Sequence, residues 1–244
     1  MDHAPFFREG TEKNAVLLHH GIAGSPAHFR DLVPVIPGEF SVCCILLDGH
    51  GGRVTDFSRS SMKKWKTQVQ DTLTDLFARH ENVVIGAHSM GTLFAIQAAI
   101  DHPERIPGLF LLSVPPRPRV PPSTVYTALR VALGKLDRPA DRAMYGETAM
   151  ELTPKLWKYL GWAPRMLELL RECSRVRKLL PALSIQTLCF QSRKDELVSF
   201  RSCQDLARHP HITNAVLETS GHFVYSQEDT AYLQKKLREL LSEI

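Results

Sequence analysis

The stretch VVIGAHSMGTLFAI, residues 83–96, decides how this chain folds. Its first half is an apolar run, which is typical of a strand buried on both faces. Its second half continues as TLFAIQAAI, which predicts a buried helix. A strand that becomes a helix within so few residues must turn tightly, and the small residues Ala87 and Gly91 let the two backbones approach. The stretch therefore predicts a strand, a sharp turn centred on Ser89 and a helix.

The turn at Ser89 has the pattern of a nucleophile elbow, in which a strained serine exposes its hydroxyl group. The helix that follows points its free N–H groups and positive dipole end toward that hydroxyl, which suits a site where negative charge develops. Such elbows usually carry glycine on both sides, whereas Ala87 stands at the first position here. The alternative is a buried serine in an ordinary connection. The flanking strand and helix favour the nucleophile.

Outward from the elbow, apolar strand patterns alternate with helical patterns. Strands are predicted at 14–19, 41–47, 82–87, 107–114, 185–191 and 213–219, with a short edge strand at 5–8. Helices are predicted at 27–35, 60–80, 90–102, 200–209 and 227–242. This alternation predicts an α/β fold with a mainly parallel sheet of six to seven strands and right-handed crossovers.

Residues 115–181 interrupt the alternation. Five prolines within residues 115–122 indicate a loop or hinge, and residues 123–180 read as short helices with no strand between them. We therefore predict a core formed by 1–114 and 182–244, and a helical cap formed by 115–181. The cap should lie over the carboxyl ends of the strands, where open α/β sheets bind ligands.

A serine nucleophile needs a base, and the base needs an orienting acid. His222 follows the last predicted strand in the segment SGHF, and His20, which follows the first strong strand, is the other candidate base. Asp195 follows the strand before His222, and Glu196 is its neighbouring rival as the acid. The alternative for both carboxylates is a solvated loop beside a lysine.

The tetrahedral intermediate that such a serine forms needs two hydrogen-bond donors. The backbone N–H of Met90, directly after the serine, is one candidate. The second is the backbone N–H of Ile22, which follows His20 and Gly21 in a glycine-containing loop.

Taken together, these segments resemble the α/β-hydrolases, and more narrowly the bacterial carboxylesterase and monoacylglycerol lipase group. The matching segments are LLHHGIAGSP (17–26), DGHG (48–51), AHSMG (87–91), the Asp195 loop and SGHF (220–223). The resemblance implies the α/β-hydrolase fold and a triad of Ser89, Asp195 and His222. It also implies an oxyanion hole made by Ile22 and Met90.

Two features depart from that group. The helical insertion matches no segment of it, so we expect substrate choice to lie there. The first strands look truncated, which affects the strand count and not the site. Asp48 also ends a strand, but it precedes the serine, an order that this fold does not use.

Bulk properties exclude several classes. The 244 residues are 43% hydrophobic and 23% charged, ordinary values for a globular domain, and the net charge of +4 is too mild for a nucleic-acid binder. The five cysteines lack metal-ligand spacing, so no metal and no cofactor are expected, and a reducing cytoplasm is the simplest compartment. The first residues carry no signal-peptide pattern, and no apolar run approaches the length of a membrane span.

The insertion is basic, with 13 Lys and Arg against 6 Asp and Glu between residues 115 and 181. One interpretation is a solvated helical surface, since long cationic side chains also cover apolar surface. The other is that the cap attracts an anionic substrate, or peripherally contacts an anionic membrane surface. The expected substrate pocket combines His20 with apolar residues of the insertion, namely Trp157, Leu160, Trp162, Met166 and Leu169.

The leading functional prediction is a serine esterase that cleaves small acyl esters or monoacylglycerols without a cofactor. The same triad also cleaves amides, thioesters and certain carbon–carbon bonds, and the motifs do not separate these reactions. A small-molecule receptor on the same fold is the alternative of another class.

Overall fold

The structure is a computed structural model in which residues 3–11, 13–119, 121–148 and 150–244 are described. The remaining positions are Met1, Asp2, Glu12, Val120 and Ala149. The beginning of the stretch tested for a signal peptide, and one position of the proline-rich segment, therefore lie outside the described residues.

A seven-stranded sheet forms the centre of the molecule, with the strand order β1-β3-β2-β4-β5-β6-β7. Six strands run parallel, and β1 pairs with β3 in the antiparallel sense at one edge. The predicted mainly parallel sheet is therefore confirmed, including its short edge strand. The strands are β1 Phe6–Arg8, β2 Asn14–His19, β3 Ser41–Ile45, β4 Asn82–His88, β5 Gly108–Leu112, β6 Gln186–Ser192 and β7 Ile212–Leu217.

The register of the parallel strands brings their following loops to one edge. In β2, His19 lies beside Ile45 of β3 and Ala87 of β4. On the other side of β4, His88 lies beside Leu112 of β5. The loop after β2 and the turn at Ser89 therefore begin at the same level of the sheet and are neighbours in space.

Helices cover both faces of this sheet. They are α1 Val54–Arg59, α2 Met62–Phe77, α3 Met90–Asp101, α4 Pro122–Ala132, α5 Pro139–Glu147, α6 Trp162–Leu179, α7 Ser202–Leu206 and α8 Gln227–Ser242. Alternate residues of β2 serve the two faces: Ala15 and Leu17 join the core beneath α2 and α3, and Val16 and Leu18 join the core beneath α8. Because the central strands β2, β4 and β5 are buried on both sides, their sequences are nearly continuous apolar runs.

Three predicted helices differ from those observed. The predicted helix 60–80 begins at Met62, where Ser61 caps the helix by accepting the N–H of Lys64, and a separate short helix, α1, precedes it. Residues 27–35 form two 3₁₀ turns, Pro26–Phe29 and Val33–Val35, each with a proline in its first positions. The predicted helix 200–209 is reduced to α7.

Between β5 and β6 the described residues form helices and connecting turns, and we call residues 115–181 the helical insertion. Its segments contact the loops that follow the strands: Glu151 N–H donates to Gly52 O at 2.8 Å, and Arg119 N–H donates to Leu197 O at 2.7 Å. Helix α6 differs, because it packs along α3 and contributes Cys173 and Val176 to the core. The division into core and cap stays a prediction.

The five cysteines form no disulfide, and four of them are buried. Of the strand cysteines, Cys44 and Cys189 lie in the core, and the partly buried Cys43 packs against it. Among the described residues, no helix is both long enough and apolar enough to cross a membrane. The predicted cytoplasmic location stays a prediction.

Candidate active site

The turn between β4 and α3 holds Ser89 in a strained backbone conformation. Ser89 has φ = 50° and ψ = −120°, a region that residues other than glycine rarely occupy. Its N–H donates to Leu112 O at 2.9 Å, which ties the turn to β5. A Cβ at Gly91 would lie 2.5 Å from His19 O, so only glycine lets α3 approach the end of β2 this closely. The absence of a side chain at Gly91 therefore helps to fix where the Ser89 hydroxyl lies.

The loop after β2 lies directly against this turn. A Cβ at Gly21 would lie 2.8 Å from Ser89 Cβ, which places the next residue, Ile22, beside the serine. Within the part of the chain that the structure describes, the N–H groups of Ile22 and Met90 make no hydrogen bond. Both donors are therefore available to an oxyanion.

Two buried histidines hold this loop in place. His20 donates from Nδ1 to Gly21 O at 2.8 Å and accepts the N–H of Leu47 at Nε2 at 3.1 Å. His50 accepts the N–H of Ala23 at 3.1 Å, and the two imidazole rings are 4.8 Å apart. Burial lowers the pKa of His50 to about 4 and that of His20 well below its ordinary value, so both rings are neutral.

His20 therefore does not have the pocket-lining position that the sequence predicts. No part of its surface is accessible, and both ring nitrogens are engaged by backbone groups. Nor is its ring available to act as the base. Its place is beneath the loop that carries Ile22, which it supports from the core side.

His222 and Asp195 form a buried pair at the ends of two neighbouring strands. His222 Nδ1 lies 2.8 Å from Asp195 Oδ2 and 3.0 Å from Oδ1, and each residue is 2% exposed. Asp195 Oδ1 also accepts the N–H groups of Leu197 and Val198 at 2.8 and 2.7 Å. Burial opposes ionisation of Asp195, but the neighbouring His222 and these hydrogen bonds prevail and lower its pKa. Because the carboxylate faces Nδ1, Nδ1 carries the proton and Nε2 is left as the basic nitrogen.

Glu196, the rival acid, contacts the same histidine in another way. Its Oε2 accepts the backbone N–H of His222 at 2.8 Å and does not reach the ring. A Cβ at Gly221 would lie 2.9 Å from Glu196 Oε1, so a larger residue there would displace the Glu196 carboxylate. The structure therefore places Asp195 on the imidazole and Glu196 on the backbone of the loop.

Ser89 is 8% exposed and lies beside His88, whose ring centroid is 4.7 Å from that of His222. Within the described residues, the side-chain hydrogen bonds of His222 go to Asp195, and none joins Nε2 to Ser89 Oγ. Catalytic hydrogen bonds of this kind are often long before substrate binds.

Several contacts around His222 were not predicted from the sequence. Arg119, in the first segment of the insertion, donates from its guanidinium to the backbone carbonyl of Asp195. His88 and His28 stack with ring centroids 3.6 Å apart beside the imidazole of His222. Of these residues, only His88 is indicated by its position in the sequence, since it directly precedes Ser89 in the elbow.

The apolar residues predicted for the substrate pocket are spread over the insertion. Trp157 is 65% exposed, and Leu160 is 76% exposed. Trp162 packs against Phe57 with ring centroids 4.5 Å apart, and its Nε1 donates to Val54 O at 3.0 Å. Met166 packs against the core without being fully buried. Trp157 therefore lies on the outer surface, and Trp162 lies at the junction with α1.

Metal-ligating side chains do not converge in the part of the chain that the structure describes, where no group of three or more could hold an ion. The candidate site is thus built from backbone N–H groups and the side chains of Ser89, His222 and Asp195.

Comparison with known proteins places this site in a wider context. A sequence model described as the alpha/beta hydrolase family matches residues 16–234. A thermostable monoacylglycerol lipase from Bacillus sp. (strain H-257) is 30% identical over 101 residues, which is 41% of this chain. The match spans 40% of that lipase, well under half its length.

Solved structures with the same fold cover nearly the whole chain. One is a metagenome-derived lipolytic enzyme of the pair LipS and LipT, with a TM-score of 0.77, 22% identity and 98% of each chain covered. Another is the haloalkane dehalogenase DbeA from Bradyrhizobium elkani USDA94, with a TM-score of 0.69, 14% identity and coverage of 98% of this chain and 93% of its own. At such identities the likeness concerns the fold alone.

Proposed function

The chain belongs to the α/β-hydrolase family, and we propose that it is a serine hydrolase that cleaves carboxylic esters through an acyl-enzyme intermediate. The buried pair of His222 and Asp195 is the observation that carries this proposal, because it leaves Nε2 basic at the edge of the sheet where a strained turn holds Ser89. Ser89 is the nucleophile, His222 the general base, and Asp195 the group that orients it.

Acylation begins when Ser89 Oγ attacks the carbonyl carbon of the ester and its proton passes to His222 Nε2. The imidazolium that forms donates from Nδ1 to the ionised Asp195, which stabilises the new positive charge. The carbonyl oxygen becomes an oxyanion and accepts the N–H groups of Met90 and Ile22.

The intermediate collapses when the bond from carbon to the alcohol oxygen breaks. His222 returns its proton to that oxygen, and the alcohol leaves with the acyl group on Ser89. Water then attacks the acyl carbon and gives a proton to His222. Breakage of the acyl–Oγ bond releases the carboxylic acid, and Oγ regains the proton.

We take the substrates to be small acyl esters or monoacylglycerols. The partial match to a monoacylglycerol lipase supports this choice. So does the exposed apolar surface of the insertion, where Trp157 and Leu160 lie near the basic residues Lys155 and Lys158. Such a surface suits peripheral contact with anionic lipid, from which a poorly soluble ester could be taken.

The test combines labelling with a substrate panel. A fluorophosphonate probe should label wild-type protein at Ser89, and p-nitrophenyl esters and monoacylglycerols of graded chain length should be hydrolysed with a burst of the first product. Labelling without ester turnover would direct the search to amides, thioesters or carbon–carbon bonds. Absence of both would favour a small-molecule receptor and overturn the proposal.

A further inference from the structure

Glu147, the last residue of α5, joins the helical insertion to the loop after β2. Its Oε2 lies 3.2 Å from His28 Nδ1, and its Oε1 accepts from Arg30 at 3.1 Å. Its backbone carbonyl accepts the hydroxyl of Ser25 at 3.4 Å. The Glu147 side chain is only 14% exposed, although glutamate is rarely buried without a partner. One residue of the insertion therefore makes three polar contacts with the segment that follows Ile22.

His28 carries this contact inward. Its ring is buried between Glu147 and Tyr225, whose hydroxyl lies 3.4 Å from Nε2. A single neutral tautomer satisfies both partners, with Nδ1–H donating to the carboxylate and Nε2 accepting from the tyrosine. One face of the ring stacks on His88, with centroids 3.6 Å apart and an interplanar angle of 27°. The carboxylate thus fixes the orientation of a ring that lies flat on the elbow residue next to Ser89.

His88 completes the path to the proposed base. Its Nε2–H donates to the backbone carbonyl of His222 at 3.2 Å, while Glu196 accepts the backbone N–H of the same residue at 2.8 Å. The backbone of His222 is therefore held from two sides. Glu196 holds it from the acid loop, and His88 holds it from the elbow.

From these contacts we infer that Glu147 is a positioning residue for His222 that acts through His28 and His88. The inference rests on the proposed function, since it assigns a role in the same reaction. When the insertion is seated on the core, Glu147 locks the His28 ring, the ring supports His88, and His88 holds the His222 carbonyl. The imidazole is then kept at the elbow in the geometry that proton transfer from Ser89 requires.

Loss of this lock should affect the chemical step and not binding. Without Glu147, the Nδ1–H of His28 loses its acceptor in a buried site, and the ring is free to tilt away from His88. A small displacement of a catalytic group can lower the rate by about 100-fold without changing ground-state contacts. A residue that merely anchored the insertion would change substrate binding instead.

The experiment compares Glu147→Ala and Glu147→Gln with Glu151→Ala, a matched control on the same insertion whose side chain is exposed. Fluorophosphonate labelling separates the affinity for the probe, KI, from the rate of the covalent step, kinact. Glu147→Ala should lower kinact and kcat about 10- to 100-fold, with KI and KM within about twofold of wild type. Glu147→Gln keeps an acceptor oxygen for His28 and should recover most of the rate, and Glu151→Ala should match wild type.

A second variant guards against loss of folding. His28→Phe keeps a ring stacked on His88 but removes both polar contacts of His28. It should lower kinact as Glu147→Ala does, and the double variant should be no slower than the slower single variant, because both act along one path. Additive losses, or a change in KM with kcat unchanged, would overturn the inference.

Histidine NMR provides a readout that does not require activity. In ¹⁵N-labelled protein, Glu147→Ala should shift the ring signals of His222, and Glu151→Ala should leave them in place. Unchanged His222 signals in folded Glu147→Ala would refute the positioning role even if the protein proved not to be an esterase. Absence of labelling in wild type, with the shift present, would refute the proposed function and leave the structural coupling standing.

Discussion

The elbow, residues 82–101, and the helical insertion are held by different forces. The elbow contains a fully buried strand, with Val83, Val84 and Ile85 inaccessible, and its turn is fixed by close backbone contacts. The insertion combines apolar packing of α6 on the core with ion pairs inside the insertion, such as those of Asp141 with Arg130 and Arg138.

The difference shows that close packing fixes the turn, whereas polar contacts contribute more to the insertion. Close packing leaves the elbow one conformation, which keeps Ser89 strained. The insertion reaches the site through single polar side chains, such as Arg119 on the Asp195 carbonyl and Glu147 on His28. Four of its cations, Arg130, Arg138, Arg165 and Arg175, pair with carboxylates of the insertion itself.

The largest expected effect separates chemistry from access. Ser89→Ala should remove covalent labelling and lower kcat by on the order of 10⁶, because alanine has no hydroxyl to form the acyl-enzyme. Trp157→Ala, at an exposed position of the insertion, should keep kcat within about threefold of wild type. Burst kinetics and circular dichroism on both variants make the comparison. Wild-type turnover by folded Ser89→Ala would refute the proposed mechanism.

The next effect tests which carboxylate acts on the imidazole. Asp195→Asn should lower kcat by on the order of 10⁴, because the amide cannot favour the same tautomer or stabilise the imidazolium. Glu196→Gln should cost no more than about tenfold, since its amide oxygen can still accept the His222 N–H. Steady-state kinetics decide between them. A large loss in Glu196→Gln with little change in Asp195→Asn would reverse the assignment.

Acid should destabilise the core through a buried histidine. The insertion has no such histidine, because residues 115–181 contain none. His19 is fully buried, and its two ring nitrogens have no hydrogen-bond partner among the described residues. Burial lowers its pKa to about 3, so the unfolded chain binds more protons than the folded one between pH 6.5 and pH 3. Stability is full above pH 6.5 and falls as the pH decreases through that window, by roughly 3 kcal/mol at pH 4.5 from this residue alone.

Urea unfolding at a series of pH values measures how steeply the free energy of unfolding changes with pH, which is the slope that the variants should alter or keep. His19→Leu should flatten it between pH 6.5 and pH 4.5. His211→Gln, at an exposed position, should leave it unchanged. If His19→Leu unfolds with the wild-type slope, then His19 is not a source of the acid sensitivity.

The smallest effect compares two glycines. Gly91→Ala should destabilise the protein by about 1–3 kcal/mol, because its Cβ would lie 2.5 Å from His19 O and the backbone would have to shift. In the insertion, a Cβ at Gly146 of α5 has no atom within 4 Å, and alanine should stabilise that helix by about 0.5 kcal/mol. Thermal unfolding of the two variants gives the difference. Equal stability of the two variants would mean that the backbone around Gly91 can shift to accommodate a methyl group, contrary to this prediction.

The sequence by itself determined the sheet and the elbow, because both depend on local patterns. Apolar runs of strand length report burial on two faces, and the small residues around Ser89 report a close backbone approach. The order of strands and helices then limited the connections to a parallel sheet, whose loops meet at one edge. The order of these residues along the chain then indicated Ser89, Asp195 and His222 as the candidate triad.

Only the tertiary structure decided how neighbouring candidates divide their roles. Asp195 and Glu196 have almost the same sequence surroundings, and the direction of each depends on a turn whose N–H groups point at Asp195. His20 follows a strand as His222 does, yet packing buries it under the loop. The contact of Glu147 with His28 joins residues 119 positions apart. Such contacts follow from how loops close over the sheet, and local periodicity carries no information about that closure.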